Sequence, residues 1–348
     1  MKKILPFLLG GLLFLSLSGI ARVDFQKIPV TSKSLNGIQA KNFQGAFTDE
    51  KNVKWFLTET GIVSYDDKKW KLHNKNKEIP TQDLHDFSYG VSSKGPELMV
   101  ASSNNVKVVN HPVTQKSAVT RIDTEKAGVT EAKIIKVLEG KGDTRWIGTD
   151  KGIFAQRNDK WLKPNYEEMY PGILFESFPI TSMATSRNGD SLYIATAGAG
   201  IARVYRDDVD GISGASVYAQ WGPIILPSDN VYSVIIAADG SKWFGTDMGA
   251  ARHTGDNTLE NWEVYTTAEG LVNDFVQCIA ADSKGNIWFG TKGGVSLFDG
   301  KSWKSFTAND GLASNNILSI TVDKKNVVWF GTDNGVMSYN GKEFVSFK

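Results

Sequence analysis

The sequence has a single cysteine among its 348 residues, and this scarcity limits its chemistry. One cysteine excludes an intrachain disulfide framework and any metal site built from several thiolates. Charge of one sign is also lacking, because 39 basic and 38 acidic residues give a net charge of +1. No overall field therefore attracts nucleic acid or an acidic membrane surface. Histidine is scarce as well, with four residues in the chain.

The most apolar stretch of the chain lies at its N-terminus. Met1, Lys2 and Lys3 give a positive start, residues 4–17 are almost wholly apolar, and residues 18–21 include small side chains typical of signal-peptidase sites. This apolar run is shorter than the ~20 residues that span a bilayer as a helix, which favours a cleaved signal over a membrane anchor. Residues 1–21 are predicted to be a signal peptide, and the mature protein is predicted to be periplasmic or secreted.

No segment shows a sustained apolar period of 3.6 residues, so helices are expected to be incidental. The chain instead repeats itself. Trp288-Phe289-Gly290-Thr291 recurs as Trp329-Phe330-Gly331-Thr332, and related copies, two of them weak, occur upstream. The aligned positions lie 41 to 50 residues apart, at Trp55, Met99, Trp146, Tyr193, Trp243, Trp288 and Trp329.

Seven units of this length, each divisible into four short strands by turn signals such as Asp299-Gly300, predict an all-β fold. Specifically, residues 22–348 are predicted to form a seven-bladed β-propeller of four-stranded antiparallel blades. Residues 23–28 share the apolar alternation of an outermost strand and are expected to pad the junction between the first and last blades, or to replace an outer strand. The predicted blades cover approximately residues 37–73, 84–120, 131–163, 180–220, 230–267, 275–307 and 316–348.

The repeated Trp-Phe-Gly-Thr element and the Gly-Leu elements at Gly270-Leu271 and Gly311-Leu312 resemble the two-component regulator propeller repeat. The resemblance covers residues ~30–348 at the level of repeats. It implies a propeller fold and a sensory or binding role outside the cytoplasm. More distantly, the chain is similar to streptogramin-lyase-like propellers, which implies a histidine base acting with a metal.

Polar side chains follow the second strand of several blades, where turns converge at one end of a propeller channel. They are Glu59, Asp150, Asp247, Lys292, Asp333 and the adjacent Asn334. One interpretation is structural, with aspartate capping the turn by accepting backbone NH bonds. The other is functional, with a partial ring of carboxylates facing a cation or polar ligand.

His85 follows Asp83-Leu84 at the start of a predicted innermost strand, which makes it the candidate base for a lyase-like site. No histidine pair on adjacent repeats supports that reaction, so ordinary surface histidines are the alternative for all four. The lone Cys278 occupies a slot filled by Ser233 and Ser319 in other repeats, which favours a packed small thiol. The sequence predicts no cofactor and leaves a divalent cation open.

Two segments depart from the repeat template and are further candidates, because their residues are not needed to build a blade. Tyr166 and Tyr170 lie between the third and fourth predicted blades, and Trp221 lies between the fourth and fifth. Exposed aromatic side chains there could stack on a sugar ring or bind a protein. Local packing of long loops is the alternative.

These observations favour an exported, non-catalytic binding or sensory platform for an envelope protein or a glycan-like ligand. A metal-assisted lyase or hydrolase with a site at the channel mouth is the first alternative. A structural subunit of a cell-envelope complex is the second. No nucleic-acid partner is expected, and membrane contact is expected only through a partner or an uncleaved signal segment.

Overall fold

The repeats form seven β-sheets whose strands follow one another along the chain. Within each sheet, strand a pairs with strand b, b with c, and c with d, all antiparallel. The innermost strands, a, contact those of the neighbouring sheets, and the first and last sheets also meet, which closes the ring. The predicted seven-bladed β-propeller is confirmed. We call the face that carries the d–a loops and b–c turns the upper face, and the opposite one the lower face.

The computed structural model describes residues 28–73, 79, 83–111, 113, 117–122, 132–140, 143–158, 160–162, 178–205, 214–218, 226–255 and 260–348. A three-residue 3-10 helix occupies Ala308–Asp310. Within these ranges, no helix has the length and apolar character needed to cross a membrane.

The first strand of the chain, β1 (Val30–Lys33), stands apart from the regular blade pattern. The first three blades contain β2 (Gly45–Thr48), β3 (Lys54–Thr58), β4 (Gly61–Tyr65) and β5 (Trp70–Leu72); β6 (Leu84–Ser92), β7 (Gly95–Ser102), β8 (Asn105–Asn110) and β9 (Val119–Ile122); and β10 (Ile134–Glu139), β11 (Thr144–Thr149), β12 (Gly152–Arg157) and β13 (Lys160–Leu162).

The remaining four blades follow the same plan. They contain β14 (Ile180–Thr185), β15 (Ser191–Thr196), β16 (Ile201–Tyr205) and β17 (Gly214–Tyr218); β18 (Val231–Ile236), β19 (Lys242–Thr246), β20 (Gly249–His253) and β21 (Trp262–Tyr265); β22 (Val276–Ala281), β23 (Ile287–Thr291), β24 (Val295–Phe298) and β25 (Trp303–Phe306); and β26 (Ile317–Val322), β27 (Val328–Thr332), β28 (Gly335–Tyr339) and β29 (Phe344–Phe347).

The seventh blade has a fifth, outermost strand. β1 pairs in parallel with β29, with Val30 opposite Phe344 and Lys33 opposite Phe347. Of the segment expected to pad the junction between first and last blades, residues 23–27 lie outside the described residues. The segment that follows them is added to the outer edge of the last blade, and no strand is replaced.

The glycine of the repeated Trp-Phe-Gly-Thr element lets neighbouring blades approach each other. Strand b is buried along its whole length in six blades. A Cβ atom on Gly290 would lie 2.7 Å from the Ile317 side chain, which begins strand a of the next blade, and Gly245 stands in the same relation to Val276. At Gly245 and Gly290 a larger side chain would therefore overlap the next blade, although other blades hold Leu57, Ala101 or Ala195 at this position.

Hydrogen bonds between successive innermost strands tie the blades together. Ser233 Oγ accepts a hydrogen bond from the backbone NH of Ile279 at 3.1 Å. Ser319 Oγ donates to the carbonyl of Phe43 at 2.7 Å, which links the last blade to the first. Cys278 occupies the same position in the sixth blade, and its Sγ lies 3.7 Å from a backbone carbonyl of the next blade. Desolvation by burial raises the pKa of its thiol. The interpretation of Cys278 as a packed thiol agrees with this position.

An aspartate six residues before the strand-b tryptophan fixes the a–b turn in three blades. Asp282 Oδ1 accepts hydrogen bonds from the backbone NH groups of Lys284 and Asn286 at 2.8 and 3.1 Å. Its Oδ2 accepts from Trp288 Nε1 at 3.2 Å. One carboxylate therefore satisfies the turn and the buried indole together. The same arrangement joins Asp49 to Trp55 and Asp323 to Trp329.

A buried carboxylate on the lower face titrates near neutral pH. Glu139, at the end of strand a in the third blade, has its Oε2 3.6 Å from Arg145 Nε. Arg145 Nη2 also donates to Glu97 Oε2 of the second blade at 2.8 Å. The pKa of Glu139 is raised to about 7. Burial is the largest cause, and it outweighs the positive charge of Arg145, which lowers the pKa. The negative charge of Glu97 raises the pKa further.

The Glu139→Gln substitution should therefore remove a pH dependence of stability. The pKa of Glu139 rises from 4.5 to about 7 on folding, so the folded protein holds this proton more tightly than the unfolded chain does. The contribution of Glu139 to stability is therefore complete below pH 4.5 and is lost as the pH rises to about 7. We expect the unfolding free energy of the wild type, relative to the variant, to fall by roughly 3 kcal/mol over this range. Urea titrations of both proteins at several pH values measure this difference in unfolding free energy. The contributions of other titrating groups are common to both proteins and cancel when the two are subtracted. A constant difference would contradict the prediction.

Candidate functional site

Threonine closes the b–c turns that lie on the upper face. In five Thr-x-x-Gly turns, the Thr Oγ1 at the end of strand b donates to the carbonyl of the glycine that begins strand c, at 2.8 to 2.9 Å. The interpretation that aspartate caps these turns is wrong, because the same threonine hydroxyl also accepts the backbone NH of the turn, as from Lys151 to Thr149 at 3.0 Å and from Met248 to Thr246 at 3.1 Å. The aspartate side chains are thereby left for other contacts.

The carboxylates after strand b hold the loop that leads into strand a of the same blade. Asp150 Oδ1 accepts from the backbone NH of Lys133 at 2.7 Å. Asp247 Oδ2 accepts from Asn230 Nδ2 at 2.9 Å. Asp333 repeats this with Asn316 Nδ2, at 3.0 Å. Three of the predicted site residues therefore fix the d–a loops, and they also place negative charge on the upper face.

An aromatic pair lies between the fifth and sixth blades on this face. The rings of Tyr232 and Phe275 have centroids 4.8 Å apart, and Lys292 Nζ lies 3.6 Å from the Phe275 centroid. An ammonium group over a ring is attracted by the negative face of the π system. Burial, and then the negative charge of Asp247, raise the pKa of Tyr232, which keeps its hydroxyl protonated near neutral pH.

Backbone hydrogen bonds join the turns that carry these side chains. The NH of Gly249 donates to the carbonyl of Asp274 at 2.7 Å, and the NH of Lys292 donates to the carbonyl of Phe275 at 3.2 Å. Met248, between Asp247 and Gly249, is 59 % exposed. We call Tyr232, Asp247, Met248, Phe275 and Lys292 the blade-5/6 patch.

Sequence reasoning found the charged members of this patch and missed the others. Tyr232 and Phe275 lie where strand a begins in two consecutive blades, and that shared placement was the available signal. Met248 stands beside a predicted residue, Asp247, but exposure cannot be read from a repeat pattern. The structure thus combines two predicted residues with an aromatic pair and an exposed methionine.

A second feature of the upper face is a groove of about 360 Å³ between the seventh and first blades. Its lining includes Asn334, Lys41 and Glu59. Asn334 Nδ2 donates to the carbonyl of Ala313 at 3.1 Å, and Glu59 Oε1 accepts from the backbone NH of Lys41 at 2.6 Å. The predicted Asn334 is therefore on the upper face but apart from the blade-5/6 patch.

His85 lies at the upper end of strand a in the second blade, where its side chain is 23 % exposed. Its Nε2 is 2.7 Å from Ser103 Oγ and 3.1 Å from Asp83 Oδ1. In a Ser-His-Asp relay, the nitrogen that takes the proton differs from the one that the carboxylate orients. In this cluster a single nitrogen contacts both groups, so the three side chains form a local hydrogen-bond network without a relay.

The other three histidines are buried, so the expectation that they lie on the surface is wrong. His73 Nε2 is 2.8 Å from Ser64 Oγ, and burial lowers its pKa to about 3. His111 Nε2 is 2.9 Å from Asp49 Oδ2 between the first two blades. The ring of His253 stacks on a tryptophan of strand d at 4.6 Å. These residues pack the blades.

Three aromatic candidates, Tyr166, Tyr170 and Trp221, lie outside the described residues and stay predictions. The same is true of the predicted signal peptide, residues 1–21. Across the part of the chain that the structure describes, no three His, Cys, Asp or Glu side chains are grouped to hold a metal ion.

Two segments of the chain match the family model described as two-component regulator propeller, at residues 270–293 and 311–334. Each match runs from the d–a loop through strand b to the b–c turn, in the sixth and seventh blades. The resemblance inferred from the Gly-Leu and Trp-Phe-Gly-Thr elements is confirmed. The molecule is a seven-bladed propeller, and segments of its sixth and seventh blades match this repeat. No curated protein matches the chain.

Solved structures share this fold at low sequence identity. The chain is similar to the extracellular domain of a protein from B. thetaiotaomicron described as a hybrid two-component system, with 21 % identity, a TM-score of 0.70, and coverage of 89 % of this chain and 41 % of that one. It is also similar to PorZ, described as a surface component of the type-IX secretion system of Porphyromonas gingivalis, with 16 % identity, a TM-score of 0.67, and coverage of 86 % and 47 %.

A streptogramin B lyase structure is similar as well, with 16 % identity, a TM-score of 0.64, and coverage of 88 % of this chain and 96 % of that one. All three similarities concern the fold. The chain spans less than half the length of the B. thetaiotaomicron extracellular domain and of PorZ.

Proposed function

We propose that this protein is an exported, non-catalytic binding module that engages an envelope protein through its upper face. The blade-5/6 patch carries this proposal. It combines two half-buried aromatic rings, an exposed methionine and side chains of both charges, and aromatic residues and methionine are enriched in protein interfaces. The rings are held by neighbours, so little side-chain entropy is lost when a partner covers them.

Two further observations support an exported, sensory or structural role. The N-terminal sequence predicts an export signal, and the fold resembles the extracellular domain of a described two-component system. We assign His85 a structural role, because its Nε2 contacts both Ser103 and Asp83. The d–a loops, fixed by Asp150, Asp247 and Asp333, make the upper face a pre-organised surface.

Site-specific photo-crosslinking in cells tests this proposal. A photoreactive amino acid at position 248 should give a discrete crosslinked product with an envelope protein. Position 91 is the matched control, because Val91 is also an exposed apolar residue, at 66 %, but lies near an a–b turn on the lower face. Products of equal yield at both positions, or none at position 248, would reject the upper face as the binding surface.

Once the crosslinked partner is purified, affinity measurements give a second test. Phe275→Ala and Lys292→Ala should each weaken binding by about 10- to 100-fold, because central aromatic and charged residues dominate interface energy. Val91→Ala should leave the affinity unchanged. Surface plasmon resonance measures these constants, and unaltered binding by both patch variants would contradict the proposal.

A further inference from the structure

A pocket of about 330 Å³ lies on the lower face between the second and third blades. This is the side of the molecule opposite the blade-5/6 patch, and the volume falls in the range of about 300–1,000 Å³ that small ligands occupy. Its apolar lining comes from Val108 and Ile122 of the second blade and Trp161 of the third. The first two are buried in the core cluster against which Trp161 packs, so this side of the pocket is rigid.

A buried amide oxygen in the pocket has no hydrogen-bond donor among the described residues. Gln156 lines the pocket and is 6 % exposed, and its Oε1 accepts no hydrogen bond from the described residues. Leaving a buried acceptor unpaired costs about 1–3 kcal/mol, and folded proteins rarely retain one without a reason. A donor group on a bound molecule, such as a hydroxyl, would satisfy this oxygen.

The charged lining leaves an excess of positive charge. Glu97 is the carboxylate that lines the pocket, and it accepts a 2.8 Å hydrogen bond from Arg145, which also lies 3.6 Å from Glu139, outside the lining. Two further basic residues, Lys94 and Arg121, are exposed and line the same pocket. The arrangement therefore favours a ligand with a negative group, and an arginine guanidinium matches the geometry of a carboxylate.

We propose that this pocket binds an acidic sugar, namely a uronic acid unit. An aromatic ring beside polar side chains suits the apolar faces and the hydroxyl groups of a sugar. Trp161 supplies the ring, Gln156 accepts from a hydroxyl, and Arg121 with Lys94 pairs with the carboxylate. The site is separate from the proposed protein-binding face, so neither proposal depends on the other.

Titration with three probes tests the ligand class. Isothermal titration calorimetry with glucuronic acid, glucose and succinate separates the need for hydroxyl groups from the need for a carboxylate. We expect glucuronic acid to bind at least about tenfold more tightly than either of the others, because only it satisfies both parts of the pocket. Equal affinity for glucose, equal affinity for succinate, or no saturable binding of glucuronic acid would each overturn the proposal.

Variants show whether the binding occurs in this pocket. Gln156→Leu removes the unpaired oxygen at similar volume, so it should leave the melting temperature equal or higher while weakening glucuronic acid binding by about tenfold. If Gln156 had a purely structural role, the substitution would lower the melting temperature and leave glucuronic acid binding unchanged. Arg121→Ala should also weaken binding by about tenfold, since it removes a charge-assisted hydrogen bond.

The matched control is Lys301→Ala, which removes an exposed cation from a c–d turn on the lower face of the sixth blade. It should bind glucuronic acid like the wild type. Loss of binding in this variant, or wild-type binding in both pocket variants, would overturn the assignment. Crosslinking at position 248 should be unaffected by Arg121→Ala, so failure of one proposal can be told from failure of the other.

Discussion

Replacing Gly331 with alanine is expected to destabilise the protein by about 3 kcal/mol. A Cβ at this position would lie 2.3 Å from the carbonyl oxygen of Phe43 and 2.3 Å from Ser319 Oγ. Because the Phe43 oxygen belongs to the backbone of the first blade, the overlap can be relieved only by moving that blade from the seventh. Urea denaturation followed by tryptophan fluorescence measures the loss.

Gly285→Ala is the control for this substitution. Gly285 has a φ of +83°, but nothing lies within 4 Å of its Cβ position, so the variant carries backbone strain without crowding. Its cost should be about 1 kcal/mol. If the two variants are equally stable, the prediction that Gly331 is needed for close packing of the first and seventh blades is wrong.

Asp323→Ala should be the most damaging single change among the polar residues, at about 3–5 kcal/mol. Asp323 accepts hydrogen bonds from two backbone NH groups of its turn and from Trp329 Nε1. It also lies 3.8 Å from the ammonium of Lys54, whose side chain is 0 % exposed. Removing the carboxylate therefore breaks the turn and leaves a buried cation of the first blade with Asp67 as its remaining ionic partner.

The chain contains its own control for this prediction. Asp282 makes the same turn and tryptophan bonds in the sixth blade and one more from Asn286 Nδ2 at 2.8 Å, but no ion pair within the described residues. Asp282→Ala should cost less than Asp323→Ala despite this extra bond, because it leaves no buried cation without a partner. Adding Lys54→Met to Asp323→Ala should recover part of the stability. An equal cost for both aspartates would show that the buried lysine contributes nothing.

The fold could be predicted because each blade repeats the same local signals. The Trp-Phe-Gly-Thr strand, the Asp299-Gly300 turn and the spacing of the copies require no knowledge of distant contacts. The aspartate six residues before the tryptophan was equally visible in the sequence, but its meaning depends on a turn that brings Asp282 and Trp288 together. A repeat pattern does not report such a bond.

The candidate site was less predictable, because it is formed by residues of different blades. Asp247 and Lys292 stand at a repeated position, and both were identified. Tyr232 and Phe275 are 43 positions apart, and the contact between their rings depends on how two blades are placed relative to each other. The lower pocket depends even more on tertiary structure, because Gln156 is unremarkable in sequence and is distinguished by burial without a partner.

The parallel strand β1 has a consequence for the order of folding. Its partner, β29, lies about 300 residues further along the chain, whereas the other strands pair with immediate neighbours. Contacts between residues so far apart in sequence form late, because the entropy of closing a long loop must be overcome first. Individual blades can therefore form early as local meanders, while the incomplete ring still has an open edge at each end. Closure of the ring and capture of β1 are therefore the last events in the folding of this protein.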